Sequence, residues 1–400
     1  MANLKIVETM HRSHHLIIFI IGLLLTASLN QALKAQTHTN SFQTSLTQDV
    51  VSNLEGGIQQ GQAHMGLINI DLSLQTENLD LWDHGTFRVH IQNTYGQQPS
   101  SQLVGDIQVF SNIENKNCSY LYQFYYQHQW KNMSLLMGKQ DLNERFFVSK
   151  PAGHFINSSL GIMPVASLNT PVSIFPSTTL GIVGCYQFSD QQSLQGAVYN
   201  GLPGKVTDCN FGTDLNLNIR NGLFHILEWH LQRNILSNPA SIKVGGFYHS
   251  GKFQSPGDPR VTVRGASGLY LMIHQGIFRE YEDHLRGMDL FLQIGHSPDP
   301  ASLIDSHLTC GLTYTGLIPG AEKDQVGLAL AHASLNNRLM NRHPAVYQVD
   351  ETALEFTYKH HLTDELVLQP DLQYIIHPGM QTSTNNSVIG ILRLHWTYND

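Results

Sequence analysis

About sixteen segments of this chain alternate apolar with polar residues, most of them over about ten positions. Successive side chains of a β-strand point to opposite faces, so each such segment makes a strand with one oily side and one wet side. Ile68, Ile70, Leu72 and Leu74 are interleaved with Asn69, Asp71, Ser73 and Gln75. Phe87, Val89 and Ile91 alternate with Arg88, His90 and Gln92. The last segment sets Leu392, Leu394, Trp396 and Tyr398 against Arg393, His395 and Thr397. Strands are expected at 44–54, 60–76, 84–95, 119–130, 133–139, 178–188, 192–201 and 222–233. They continue at 241–250, 267–278, 287–296, 306–316, 325–334, 351–361, 365–376 and 387–398. In 267–278 either parity carries apolar groups.

Two architectures use such strands. A sandwich turns the oily faces inward; a membrane barrel turns them outward, into lipid. The wet parity here carries Asp71, Arg88, Glu228, Asp289, Glu355, Lys359, Asp371 and Arg393, too many charges for a sealed apolar core. Connections also alternate in length. Short ones fall at Lys131-Asn132, Ser189–Gln191 and Leu362–Asp364, and long ones at 96–118, 140–177, 202–221, 251–266 and 335–350. Short turns on one side and long loops on the other are the signature of a barrel. The stretch YLYQFYYQHQW (Tyr120–Trp130) is then expected to face lipid with Tyr120, Tyr122, Phe124, Tyr126 and Trp130, and water with Gln123, Gln127 and Gln129. Charged residues make up only 14% of the chain, against roughly 25% in soluble proteins. After the first thirty residues no apolar run reaches the ~18 residues that a membrane helix needs. The reading is an all-β, transmembrane, antiparallel up-and-down β-barrel of about sixteen strands. Long loops 140–177 and 202–221 are expected outside the cell and both termini in the periplasm.

The N-terminus reads as an export signal. Lys5, Arg12, His14 and His15 precede LIIFIIGLLLTASL, followed by Ala32 and Ala35, which places a signal peptide at 1–35 and the barrel at 36–400. Residues 1–35 carry Lys5, Arg12 and Lys34 against Glu8, so a chain of net charge −8 becomes more acidic, about −10, without them. Nucleic acid is an unsuitable partner for that balance. Cys118, Cys185, Cys209 and Cys310 lack zinc spacing, and only Cys118 with Cys209 would lie close enough at the loop end to bridge. Twenty-two histidines are scattered without metal-binding spacing; neighbours such as His360 and His361 point to opposite faces of a strand. GFYHSGKF (246–253) lacks the Ser/Thr and the helix of a phosphate loop, and neither G-x-S-x-G nor HExxH occurs. No cofactor is expected. A barrel hydrolase and an adhesion barrel stand as the alternative function classes.

Three stretches, GKQDLNERFFVSKPAGHFINSSLGIMP (138–164), GLYLMIHQGIFREYEDHLRGMDLFLQIGHSPDP (268–300) and ETALEFTYKHHLTDELVLQPDLQYIIHPG (351–379), resemble the carbohydrate-selective porins of the OprB type. The resemblance extends more weakly from about Gly56 to Trp396. Its most specific part is Glu351, Glu355 and Tyr358, followed by LQPDLQY at 368–374. It implies a sixteen-stranded outer-membrane barrel that passes sugars. The partners implied are carbohydrate solutes and outer-membrane lipid, with a homotrimer as the candidate assembly. Two departures stand out: Ala321-Glu322 where the family usually has a basic residue, and Asn399-Asp400 at the end in place of an aromatic.

Phe146, Phe147, Phe155, Ile156 and Ile162 make the longest loop too apolar to stand in water. Folded inward, it would bury them and form a constriction loop. Sugars are neutral and covered in hydroxyls, so a lumen that passes them needs charged or amide groups to exchange for water while holding them weakly. The pore-lining candidates are Arg88, His90, Arg145, Asn157, Glu355, Asp371, Gln373 and Arg393. Each of these serves equally as one half of a cross-strand pair.

Overall fold

The computed structural model describes residues 40–400 except 204–210, 213–214, 216–218 and 281–282; the expected signal peptide and Cys209 lie outside the described residues. The described chain is a meander. Its strands are β1 (Ser41–Gly57), β2 (Gly61–Gln75), β3 (Gly85–Gly96), β4 (Cys118–Gln129), β5 (Met133–Gln140), β6 (Thr179–Ser189), β7 (Gln192–Asn200) and β8 (Leu223–Ile235). They continue as β9 (Asn238–Ser255), β10 (Asp258–Glu280), β11 (Asp283–His296), β12 (Ile304–Thr315), β13 (Gln325–Leu335), β14 (Asp350–His361), β15 (Leu366–Ile376) and β16 (Asn385–Asn399). Each strand pairs antiparallel with the next, and β1 pairs with β16, so the sheet closes on itself. Closure leaves no unpaired edge, which is what a sheet in hydrocarbon requires. One end of the barrel carries both terminal strand ends and the tight turns; the other carries loops 97–117, 141–178 and 201–222.

The expected long loop at 251–266 is not there. β9 and β10 run on as a hairpin, with Val263 opposite Phe253 and only Pro256-Gly257 between the strands. Pro, Gly and charged residues hide the ladder in the sequence, because a hairpin standing clear of the bilayer has no oily face to reveal it.

Val50, Ile70, Ile182, Leu227, Val244, Leu328, Phe356, Leu372 and Leu392 share the exposed parity around the ring. Monomeric soluble proteins rarely expose a contiguous apolar surface of that extent. Trp82, Trp130, Tyr186, Phe188 and Trp396 cluster among the exposed groups near the turn end, as an interfacial aromatic girdle does. An apolar outer face with an aromatic girdle is the pattern of a transmembrane barrel.

The aromatic stretch in β4 departs from expectation. The β3–β4 ladder passes from His90↔Gln123 to Ile91↔Leu121, so Tyr122 has no partner and forms a bulge. One extra residue reverses the parity beyond it. Phe124 stays outside at 46% exposure, whereas Tyr120 is 1% exposed and donates to Gln92 Oε1 at 2.8 Å. Tyr122 donates to Asp141 in the loop after β5. Tyr120 and Tyr122 therefore face inward and not lipid. Gln123, expected in water, is fully buried and donates to Glu144 at 2.6 Å.

Candidate functional site

The inner wall has two zones. Toward the turn end, Ser73, Arg88, Gln127, Gln195, Lys243, His274, Asp289, Lys359 and His395 are half-buried. Toward the loop end, inner-facing groups such as Asp49, Glu228, Glu355, Gln373 and Phe291 are fully buried. Loops 97–117 and 141–178 supply the cover.

Loop 141–178 meets the inner wall in sequence order. Asp141 takes the Asn143 amide (2.7 Å) and starts a short turn. Glu144 then pairs with Arg88 of β3 at 2.6 Å, and Arg145 donates to Gln127 of β4 at 2.8 Å. The Phe147 amide reaches Glu228 of β8, and Lys243 of β9 donates to the Val148 carbonyl. Farther along, the Ile156 and Asn157 amides donate to Glu355 of β14 at 2.5 and 3.0 Å. Asn157 caps the helical turn Ser158–Gly161, and Gln293 of β11 donates to the Leu160 carbonyl. The loop touches strands around much of the ring.

Phe146, Phe147, Phe155, Ile156, Met163 and Val165 bury almost all of their surface on this path. Removing each large apolar side chain from water is worth about 1.5–3 kcal/mol. The wall makes room for them with small residues. A Cβ on Gly327 would stand 2.7 Å from Phe155, and one on Gly295 would stand 2.5 Å from Val165. Ala329, Ala331 and Ala333 continue that bed along β13. The run GLALAHA (327–333) was the sequence signal for a packed inner face, hidden because small residues read as neither oily nor wet.

Polar anchors complete the seat. Glu228 accepts from Tyr270 and Gln195 at 2.8 Å each, besides the Phe147 amide. Glu351 accepts the Ile107, Gln108 and Gly379 amides. Asp49 holds Arg393 at 2.7 and 2.8 Å and takes the Ser111 hydroxyl. A carboxylate can be buried only when donors replace its water; here Glu351 is held by three peptide N–H groups, Glu228 by one together with two wall side chains, and Asp49 by Arg393 and the Ser111 hydroxyl.

The residues named from the sequence divide accordingly. Asn157, Glu355, Asp371, Gln373 and Arg393 come together in the covered zone. Gln373 donates to Asp371 (3.1 Å) and to the Phe110 carbonyl (2.9 Å), and accepts from Asn157 (3.1 Å). His90 is buried against Tyr122 and bonded to Asn69 at 2.9 Å. Arg88 and Arg145 lie apart from them in the open zone; Arg88 pairs with Asp71 at 2.5 Å and reaches the Tyr125 hydroxyl at 3.2 Å. Asp49, Asp71, Glu144 and Tyr125 belong to these networks and were missed as site residues. Only their parity or loop position marked them. Burial pushes the Asp141 carboxyl up to about 7, and the neighbouring Glu144 pushes in the same direction.

A closed sixteen-stranded barrel with a greasy outside, a polar inside and loops seated on its inner wall defines a porin-type barrel. The chain matches the carbohydrate-selective porin, OprB family, over residues 59–398, and it belongs to that family. Porin B of Pseudomonas aeruginosa is 22% identical over 242 residues, covering 53% of this chain and 53% of that protein. The matched region thus spans about half the length of the curated relative. The high-pH structure of Pseudomonas putida OprB superposes with a TM-score of 0.82 at 17% identity, covering 90% of this chain and 94% of that one. The low-pH structure of the same protein gives 0.59 at 15% identity, covering 90% and 93%. At those identities the likeness shows the fold.

Proposed function

We propose that this chain is an outer-membrane porin through which mono- or oligosaccharides diffuse, with loop 141–178 as the constriction. The observation that carries the reading is the course of that loop along the inner wall, from Arg88 on β3 to Glu355 on β14. A loop so placed narrows the lumen without closing the half-exposed zone beside it. Family membership supplies the substrate class. Arg88 and Arg145 are the sugar-contacting groups of the sequence-derived set, because they alone keep polar surface in the open zone. His90, Asn157, Glu355, Asp371, Gln373 and Arg393 act by positioning the loops.

Proteoliposome swelling tests this directly. Vesicles carrying the protein should swell in glucose and in disaccharides at rates that fall with solute size; no swelling would end the porin reading. The even strand count puts both termini at one end, and the short turns at that end make it the periplasmic one, with loops 141–178 and 201–222 outside the cell. A tag at Lys131-Asn132 should stay unlabelled on intact cells, and labelling there would invert the topology.

A further inference from the structure

The open zone of the inner wall is unbalanced in charge. Its carboxylates are all matched: Asp71 and Glu144 with Arg88, and Asp289 with Arg279 at 2.5 Å and His274 at 2.8 Å. Its cations are not. Lys359 on β14 and Lys150 at the exposed loop tip have no hydrogen-bond or ion-pair partner among the described residues. Arg145 has only the neutral Gln127 amide oxygen. The buried carboxylates Glu228, Glu351 and Glu355 are already occupied by loop amides and wall donors.

Lys359 and Lys150 both bear on His154. The His154 carbonyl accepts from the Gln369 amide of β15 at 2.9 Å, and the β14–β15 ladder, with His360 opposite Leu368, puts Lys359 beside Gln369; Lys150 precedes His154 on the same loop. Burial and then the Lys359 charge, with smaller pushes from Lys150 and His361, lower His154 to about 4 against an opposing pull from the Asp289 carboxylate, so its ring stays neutral at physiological pH. Gly153 beside it is exposed, with open space where a side chain would stand. The patch thus offers two free ammonium groups around a neutral imidazole that can exchange hydrogen bonds with hydroxyls. Low-dielectric walls focus such a field into the lumen, and rings of basic side chains select anions.

We propose that this patch is a subsite for sugars carrying an acidic group, with Lys359 and Lys150 as its charge-recognising residues. The proposal rests on the porin reading above. A chain with net charge −8 gains no general attraction for anions, so the preference is local to the constriction.

The test uses the full-length protein in planar bilayers and in proteoliposomes, with glucose, glucuronate and glucose 6-phosphate as solutes. The wild type should be anion-selective in a potassium chloride gradient, and at least one acid should enter faster than glucose relative to its size. In Lys150→Gln/Lys359→Gln the acid-to-glucose ratio should fall several-fold while glucose flux holds. Whichever acid loses more identifies the group recognised, carboxylate or phosphate. An unchanged ratio in the double variant, or a cation-selective wild type, overturns the proposal. Lys150→Gln alone, at an exposed loop position, gives the same reading if the double variant does not fold. Absence of glucose swelling in the wild type would instead defeat the porin reading itself.

Discussion

Asp371 and Lys359 lie on neighbouring strands and both face inward, yet they live in different media. Asp371 is 6% exposed, within a network of Gln373, Glu355 and loop peptide groups; Lys359 stands half-exposed with no partner. Parity is the same in both cases. What differs is the loop overhead. In the loop-end zone two loops have displaced the water, and inner-wall charges there serve as structural anchors. In the turn-end zone no such loop covers the wall, and its charges keep part of their surface exposed. Parity alone thus does not separate an inner-wall charge held by a loop from one left open.

The sharpest way to break this contrast is to remove a side chain that seats the loop. Phe155→Ala should cost about 3–5 kcal/mol of the loop's packing, since Gly327 and Phe291 lose the ring they pack against. Heat-modifiable gel mobility should show an assembled barrel with lowered stability, and single-channel conductance should rise as the loop loosens. Conductance equal to wild type would mean that the loop does not set the aperture. Next comes Glu228→Ala, which leaves the Phe147 amide, the Gln195 amide and the Tyr270 hydroxyl without their acceptor. Its expected cost is about 1–3 kcal/mol in denaturant titrations followed by the same gel shift. Ala331→Leu overfills the small-residue bed of β13 and should cost about 1–3 kcal/mol in the same titrations. The smallest stability effect belongs to the wet zone. Arg145→Gln should stay within about 0.5 kcal/mol of wild type while altering sugar flux in swelling assays. If Arg145→Gln unfolded the barrel and Glu228→Ala left it untouched, the two zones would have been assigned the wrong way round.

Most of the barrel was readable in the sequence because lipid imposes a rule on every strand. Leu372 and Leu392 had to be apolar wherever the bilayer touches them, so strand spans and faces followed from alternation. The rule lapses in three places, and there alternation says less. At Tyr122 a single bulged residue carries no compositional mark, so Tyr120 was turned the wrong way. In the β9–β10 hairpin no oily face exists beyond the bilayer. In the covered zone, Glu355 has the parity of the lumen wall, and nothing in its sequence marks the Ile156 and Asn157 amides as its partners. Backbone groups are identical at every position and leave no trace in a sequence. Loop 141–178 itself was marked by its phenylalanines, but not the glycine and alanine bed that receives them.

Glu228, Glu351 and Glu355 grip the loops largely by peptide N–H groups, and a peptide group is the same whatever side chain it carries. The hydrogen bonds at 147, 107–108 and 156–157 therefore leave no side-chain signature, even though the Phe147, Ile156 and Asn157 side chains are themselves buried in the seat. Such a scaffold separates where a loop sits from what it displays. Across a lineage, the surface that such a loop displays at positions such as 145, 150 and 154 can change while the staves of the barrel stay as they are.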